Sequence, residues 1–164
     1  MSRKTRNVLF LCTGNTARSI MAEVMLNQAG AGRFKAYSAG SQPAGRVSPL
    51  AMETLESLGF RTAEVRSKSW DEFAAPDAPR IDFIITVCAN AAGEACPVWP
   101  GHPVTAHWGV DDPAAVQGDE GRKRAAFRET ADILRRRIER LVGIPASRLD
   151  AKSATTTLRE IGAA

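Results

Sequence analysis

A cysteine and an arginine separated by five residues form the most chemically suggestive pattern in the sequence. Cys12 ends a short apolar run over 8–11, and Arg18 lies where a helical pattern begins. A loop between a strand and a helix can point its backbone N–H groups inward as a nest for an anion, and the helix adds the positive end of its dipole. The planar fork of Arg18 can bind two oxygens of a tetrahedral anion. The segment therefore predicts an oxyanion-binding loop.

The same positive field acts on the Cys12 thiol. A free thiol has a pKa of about 8.5, which falls to roughly 3.5–7.5 near helix N-termini or cations. We therefore expect a nucleophilic Cys12 thiolate at neutral pH, with Gly14 supplying a positive φ at the tight turn. Asn15 is expected to fix the loop and Ser19 to donate a hydrogen bond to the sulfur. The predicted oxyanion-binding residues are Thr13, Gly14, Asn15, Thr16, Ala17, Arg18 and Ser19.

A simpler interpretation is that Cys12 is a buried residue at a strand end and Arg18 a surface residue. A cysteine and an arginine at this spacing are common by chance. The placement after an apolar strand, with an internal glycine, a following serine and a helix behind it, makes the functional interpretation the stronger one.

The elements that must position this loop alternate between strands and helices. Apolar runs predict strands over 8–11, 34–38, 82–87 and 104–108, and helical spacing predicts helices from 17 to about 30, from 48 to 59 and from 120 to 141. This alternation is typical of an α/β fold with a parallel sheet, in which ligands bind beyond the carboxyl ends of the strands. Cys12, Cys88 and Asp112 each follow a predicted strand, so we expect them to converge at one edge.

The chain length of 164 residues is typical of one domain with a real core. We predict a domain over 1–143 and a C-terminal tail over 144–164 with a short helix near 157–161. The net charge is +4, and the stretch 120–148 alone holds nine Lys/Arg against four Asp/Glu. That excess fits one solvated side of a helix, and no nucleic-acid-binding motif accompanies it.

The sequence shows no apolar stretch that would predict a membrane span or a secretory signal, so we expect a cytoplasmic protein. In a reducing compartment its three cysteines do not predict a structural disulfide framework. They are also too few for a four-cysteine zinc site, and the two histidines lack ligand spacing. We predict no bound metal.

The segment over 8–23 resembles the signature region of low-molecular-weight protein tyrosine phosphatases and of the arsenate reductases that share their fold. The resemblance runs from about Asn7 to Leu141 and includes the stretch 38–40, the helix over 48–59 and Asp112-Pro113. It implies a three-layer, four-stranded parallel sheet flanked by helices. It also implies that Asp112 is the general acid that protonates the leaving oxygen. Asp111 is a competitor for that role, and a capped turn is the non-catalytic explanation for both.

Cys88 and Cys96 favour the reductase branch of this resemblance. They flank seven mostly small or polar residues, and Ala114 and Ala115 stand where the phosphatases usually carry tyrosines. The resemblance implies a relay in which Cys88 attacks Cys12 and Cys96 then attacks Cys88. Either cysteine alone could be incidental. The gap between them is one residue longer than in thioredoxin-coupled members, which leaves the electron donor open.

The predicted function is reduction of arsenate to arsenite, with phosphate or sulfate as competing oxyanions and no bound cofactor. Thioredoxin, or glutaredoxin with glutathione, would supply the electrons to a monomeric enzyme. The alternatives are a phosphatase that hydrolyses phosphomonoesters through a Cys12 intermediate and a non-catalytic oxyanion sensor. Some members of the family bind potassium near the loop, and Asn15, Glu23 and Ser38 match part of that site. The further carboxylate expected over 67–69 is missing, so we predict no ion there.

Overall fold

The sheet contains four parallel strands in the order β2-β1-β3-β4. The computed structural model describes residues 5–62, 65–87 and 103–163. The strands are β1 (Arg6–Cys12), β2 (Phe34–Gly40), β3 (Phe83–Thr86) and β4 (Val104–His107). The predicted parallel sheet is confirmed, with β1 central and its carboxyl end at Cys12.

Five α-helices lie within the described residues. They are α1 (Arg18–Ala29), α2 (Pro49–Ser57), α3 (Asp71–Ala74), α4 (Glu120–Val142) and α5 (Ala151–Ala163), with 3-10 turns at Pro113–Ala115 and Ala146–Arg148. The predicted start of α2 is confirmed, since the Ser48 hydroxyl accepts a hydrogen bond from the Ala51 N–H. Within the ranges that the structure describes, no helix has the length and apolar character needed to cross a membrane.

The core lies on both faces of β1. Residues 8–11 are fully buried, and successive side chains of a strand point to opposite faces. Val8 and Phe10 pack in the larger apolar cluster, which includes residues of α1, α2, α4 and α5. Leu9 and Leu11 pack in a smaller cluster with residues of 70–84. This arrangement confirms the predicted three layers.

The C-terminal helix is longer than the predicted piece over 157–161. It spans 13 residues, and its Leu158 is fully buried. The Trp108 indole N–H donates to the Leu158 carbonyl at 2.9 Å. A Cβ added at Gly162 would lie 2.2 Å from the His107 carbonyl oxygen, so α5 packs directly against β4. The short helix α3 was not predicted.

Candidate active site

Cys12 occupies the last position of β1, the central strand. It is paired in register with Gly40 of β2 and is only 4% exposed. The chain then forms the loop over 13–17 and enters α1 at Arg18. The predicted strand–loop–helix arrangement is confirmed, and it places the thiol at the mouth of the loop.

The carbonyl groups of the loop are held from outside by the segment 42–48. The backbone N–H groups of Gln42, Ala44 and Ser48 donate to the carbonyls of Thr13, Gly14 and Thr16 at 2.9–3.0 Å. In a trans peptide the C=O and the following N–H point in opposite directions. The N–H groups that follow these three carbonyls therefore face away from 42–48, which is the arrangement of an anion nest.

The amino end of α1 adds to this nest. Ala17 precedes the helix and makes no side-chain capping hydrogen bond, and the first turn holds no acidic residue. The first N–H groups of a helix have no partner within it, and the helix dipole places a partial positive charge there. This helix end therefore suits a bound anion better than a side-chain cap.

Arg18 links the loop to the segment that carries the predicted acid. Its Nη1 donates to the Val110 carbonyl at 3.0 Å, and its Nη2 lies 3.7 Å from Oδ2 of Asp112. The Arg18 side chain is 14% exposed and that of Asp112 is 46% exposed. Asp112 also caps the turn at 113–115, where its Oδ1 accepts from the Ala114 N–H at 2.9 Å. The structure thus brings Arg18 and Asp112 together and leaves the carboxylate open to solvent.

The prediction of a positive φ at Gly14 is wrong. The positive φ of this loop falls on Asn15, at 49°, a region that asparagine tolerates better than most residues. Asn15 is fully buried: its Nδ2 donates to Ser19 Oγ at 2.8 Å, and its Oδ1 accepts from the Lys68 N–H at 2.9 Å. Asn15 therefore fixes the loop, as predicted. Ser19 Oγ accepts this bond and keeps its own proton for donation.

Gly40 allows β2 to approach the loop closely. A Cβ at this position would lie 2.4 Å from the Thr13 carbonyl oxygen and 3.1 Å from the Asn15 nitrogen. The Gly40 N–H donates to the Lys68 carbonyl, and the Gly40 carbonyl accepts from the Trp70 N–H. The resemblance includes Gly40 without assigning it a role; in the structure, a Cβ at this position would force the loop or the strand to shift.

A buried charged pair, Glu23 and Lys68, lies beside this network, and the sequence did not predict the burial of its lysine. Glu23 accepts a hydrogen bond from Ser38 Oγ at 2.5 Å, and Lys68 Nζ lies 3.9 Å from Glu23 Oε1. Burial raises the pKa of Glu23, while Ser38, Lys68 and Arg66 oppose the shift. Burial lowers the pKa of Lys68, and the Glu23 charge opposes that shift. A single lysine in a loop without periodicity gives no sequence signal for burial.

Cys88 and Cys96 lie outside the described residues. The described chain stops at Val87, whose N–H donates to the Leu11 carbonyl at 2.9 Å, and resumes at residue 103. The described part therefore ends beside the strand that carries Cys12. The relay roles of the two cysteines remain predictions from the sequence.

Together, a thiol at the end of a central parallel strand, a loop with the arrangement of an anion nest and an arginine are the features expected of a protein that binds a tetrahedral oxyanion beside a cysteine. The chain belongs to the family of low molecular weight phosphotyrosine protein phosphatases, whose sequence profile matches residues 7–155.

Relatives of this chain carry a more specific name. This chain is 38% identical to an arsenate reductase of Bacillus licheniformis over 140 residues, which is 85% of this chain and 96% of that protein. An arsenate reductase from Archaeoglobus fulgidus is 32% identical, with a TM-score of 0.59 over 80% of this chain and 98% of that one. The structure of an arsenate reductase in a phosphate-binding state gives a TM-score of 0.69 at 27% identity. The match covers 84% of this chain and 97% of that one.

Proposed function

We propose that the protein reduces arsenate to arsenite, with Cys12 as the nucleophile. The observation that carries the proposal is the loop after Cys12, in which the carbonyls of Thr13, Gly14 and Thr16 are bound by the segment 42–48; by peptide geometry, the amides that follow them point away from that segment. The arsenate reductases to which the chain is similar share nearly their whole length with it.

The first step is attack of the Cys12 thiolate on arsenic. Arsenate binds in the amide nest, and Arg18 holds two of its oxygens. As the S–As bond forms, a hydroxyl group of the arsenate leaves arsenic and takes a proton from Asp112, so that it departs as water. The approach of Asp112 to Arg18 supports this role. Its exposure allows it to recover a proton from solvent.

The second step transfers two electrons to arsenic. The Cys88 thiolate attacks the Cys12 sulfur, the electron pair of the S–As bond passes to arsenic, and arsenite leaves a Cys12–Cys88 disulfide behind. Cys96 then attacks Cys88, which restores the Cys12 thiol and moves the disulfide to Cys88–Cys96. An external dithiol, thioredoxin or glutaredoxin with glutathione, reduces this disulfide. A reducing cytoplasm is the compartment that suits this chemistry.

Mass mapping of the disulfides after one turnover without reductant tests the relay. The wild-type protein should accumulate a Cys88–Cys96 disulfide and one equivalent of arsenite, while Cys96→Ser should stop at Cys12–Cys88. A wild-type population without any Cys88-linked disulfide would exclude the relay. Arsenate-dependent NADPH oxidation with the thioredoxin and glutaredoxin systems in parallel identifies the donor, and a protein that binds arsenate but consumes no NADPH with either is a sensor.

Phosphomonoester hydrolysis is the second candidate, since the family profile is that of phosphatases and backbone amides recognise any tetrahedral oxyanion. Cys88→Ser separates the two. The phosphatase mechanism predicts unchanged hydrolysis of aryl phosphates by this variant, whereas the reductase mechanism predicts lost arsenate turnover.

The acid role is tested with two neighbouring carboxylates. Asp112→Asn should lower kcat by about 10²–10⁴-fold, the usual contribution of a general acid. Asp111→Asn is the matched control and should retain activity within about threefold. The reverse order of the two effects would transfer the acid role to Asp111.

A further inference from the structure

Lys68 is a buried cation that the proposed mechanism does not use. Its side chain is 7% exposed, its ammonium donates to the Arg66 carbonyl at 2.8 Å, and it lies 3.9 Å from the Glu23 carboxylate. Moving an ammonium out of water is costly, so its burial calls for a compensating role. We propose that Lys68 is a positioning residue whose ammonium neutralises Glu23 behind the oxyanion loop and so keeps the loop positive toward its anion.

Two connections join Lys68 to the loop. Its backbone N–H donates a hydrogen bond to Oδ1 of Asn15, the residue with positive φ. The Nδ2 of Asn15 in turn donates to Ser19 Oγ. Ser19 and Glu23 are four residues apart on α1, which places them on the same side of the helix. The backbone of Lys68 thus fixes the loop, while its ammonium pairs with a carboxylate one helical turn further along.

The backbone of Lys68 is anchored independently of its side chain. Its carbonyl accepts from the Gly40 N–H, and the following bridge pairs Ser69 with Gly40. A substitution that shortens or neutralises the side chain therefore removes the charge and leaves the backbone contact to Asn15 in place. This separation allows the electrostatic role to be tested by itself.

The charge of the Glu23–Lys68 pair matters because the pair lies beside the oxyanion loop. The loop must attract an anion and stabilise a thiolate, and a carboxylate nearby opposes both. Among the described residues, the other charges that act on the pair are those of Arg66 and Glu72, which bond to each other at 2.6 Å. Removing the Lys68 charge leaves the Glu23 carboxylate uncompensated at any pH where it stays ionised.

The direct readout is the reactivity of Cys12, which does not require reductase activity. The rate of Cys12 alkylation by iodoacetamide, followed by peptide mass mapping from pH 5 to 9, gives the pKa of its thiol. Protection by arsenate or sulfate gives anion affinity. The inference rests on the oxyanion-binding part of the proposed function. A protein that shows protection but no arsenate turnover would overturn the reductase proposal and leave this test intact.

Lys68→Met should raise the Cys12 pKa by about one unit and weaken arsenate protection about tenfold at pH 8. A single charge that acts over a distance on the order of 10 Å, at an effective dielectric constant of about 20, has an effect of this size. The loss should shrink as the pH falls, because burial raises the pKa of Glu23 and its carboxylate then takes up a proton. Lys35→Met removes an exposed ammonium from β2 as the control and should match the wild type.

A second substitution separates charge from structure. In Lys68→Met/Glu23→Gln both charges are gone, and both readouts should return to within about twofold of wild type. Glu23→Gln alone should act in the opposite direction from Lys68→Met, lowering the Cys12 pKa and strengthening protection. These two variants also test the proposal if Lys68→Met does not fold. Equal defects in the single and double Lys68 variants, or a Glu23→Gln that weakens protection, would overturn it.

Chemical rescue supplies a further measurement. In Lys68→Ala the truncated side chain leaves room for a small cation beside the Glu23 carboxylate and the Arg66 carbonyl. Ammonium chloride should restore arsenate protection at least threefold, whereas tetramethylammonium chloride at equal ionic strength should not, because it cannot donate hydrogen bonds. Equal effects of the two salts would show that the site recognises no ammonium group and would contradict the proposal.

Discussion

Replacing Gly40 with alanine should misplace the oxyanion loop without touching any residue of the loop itself. The added Cβ would lie 2.4 Å from the Thr13 carbonyl oxygen, whereas a carbon and an oxygen in contact need about 3.3 Å. Gly40 is held by backbone hydrogen bonds on both its N–H and its carbonyl, so most of the adjustment falls on the loop. The Thr13 carbonyl must then move by about 0.9 Å.

A displacement of about 1 Å in a positioned catalytic group costs on the order of 10²-fold in rate. We therefore expect Gly40→Ala to lower kcat/KM for arsenate by about 100-fold. Overpacking also destabilises by about 1–3 kcal/mol, which lowers Tm by roughly 2–4 °C per kcal/mol in a protein of this size. Arsenate turnover and thermal unfolding measure the two effects on the same preparation.

Gly121→Ala is the matched control, since it adds the same methyl group in the first turn of α4. Its nearest neighbour would be the Asp119 side chain at 3.3 Å, and alanine is favoured over glycine in a helix by about 0.5–1 kcal/mol. This variant should keep full activity and a Tm at or above that of the wild type. A Gly40→Ala enzyme with turnover within threefold of wild type and an unchanged Tm would refute the steric reasoning.

Three further predictions concern stability. Gly162→Ala should lower Tm by several degrees, because its Cβ would lie 2.2 Å from the His107 carbonyl oxygen and push α5 off β4; an unchanged Tm would contradict this packing. Arg33→Met should cost about 2 kcal/mol in denaturant unfolding with arsenate turnover unchanged, because it loses two hydrogen bonds of 2.6 Å to carbonyls at the end of α4. Burial raises the pKa of Glu23 above its ordinary value of 4.5, so the folded state favours the protonated carboxyl group. The stability that this group contributes is fully present below about pH 4.5 and is lost as the pH rises through its pKa in the folded protein. Ser38→Ala removes the hydrogen bond that opposes this shift, so its Tm deficit against wild type should grow from pH 4 to pH 7, and a constant deficit would argue against a charged acceptor.

The position of the loop between β1 and α1 was predictable because its signal is local. A strand, a helix and the spacing of Cys12 and Arg18 determine where the thiol and the guanidinium lie, and the parallel sheet brings Asp112 to the same edge. The detail of the turn was not predictable. Glycine is the usual residue for positive φ, yet the conformation falls on Asn15, because hydrogen bonds from Lys68 and to Ser19 hold its side chain.

Two further features that the sequence did not predict, the burial of Lys68 and the full length of α5, arise from contacts between distant parts of the chain. Lys68 gave no sign of burial, since its partner Glu23 is 45 positions earlier in the sequence. The first half of α5 contains three consecutive threonines, which are poor helix formers, and its helical state depends on packing against β4 and Trp108. Such tertiary effects override local propensity and cannot be deduced from the segment itself.

The hydrogen bonds from 42–48 to the loop carbonyls also have an evolutionary consequence. A binding group supplied by a peptide N–H persists with every residue except proline, so an ordinary point mutation does not delete one. Apart from replacement of Arg18, an inherited change in anion preference would then have to come from mutations that move the backbone. Three outer anchors of that backbone lie beyond the signature, at 42, 44 and 48. The signature loop and the segment 42–48 are thus coupled through three backbone hydrogen bonds, so a displacement of one segment is transmitted to the other.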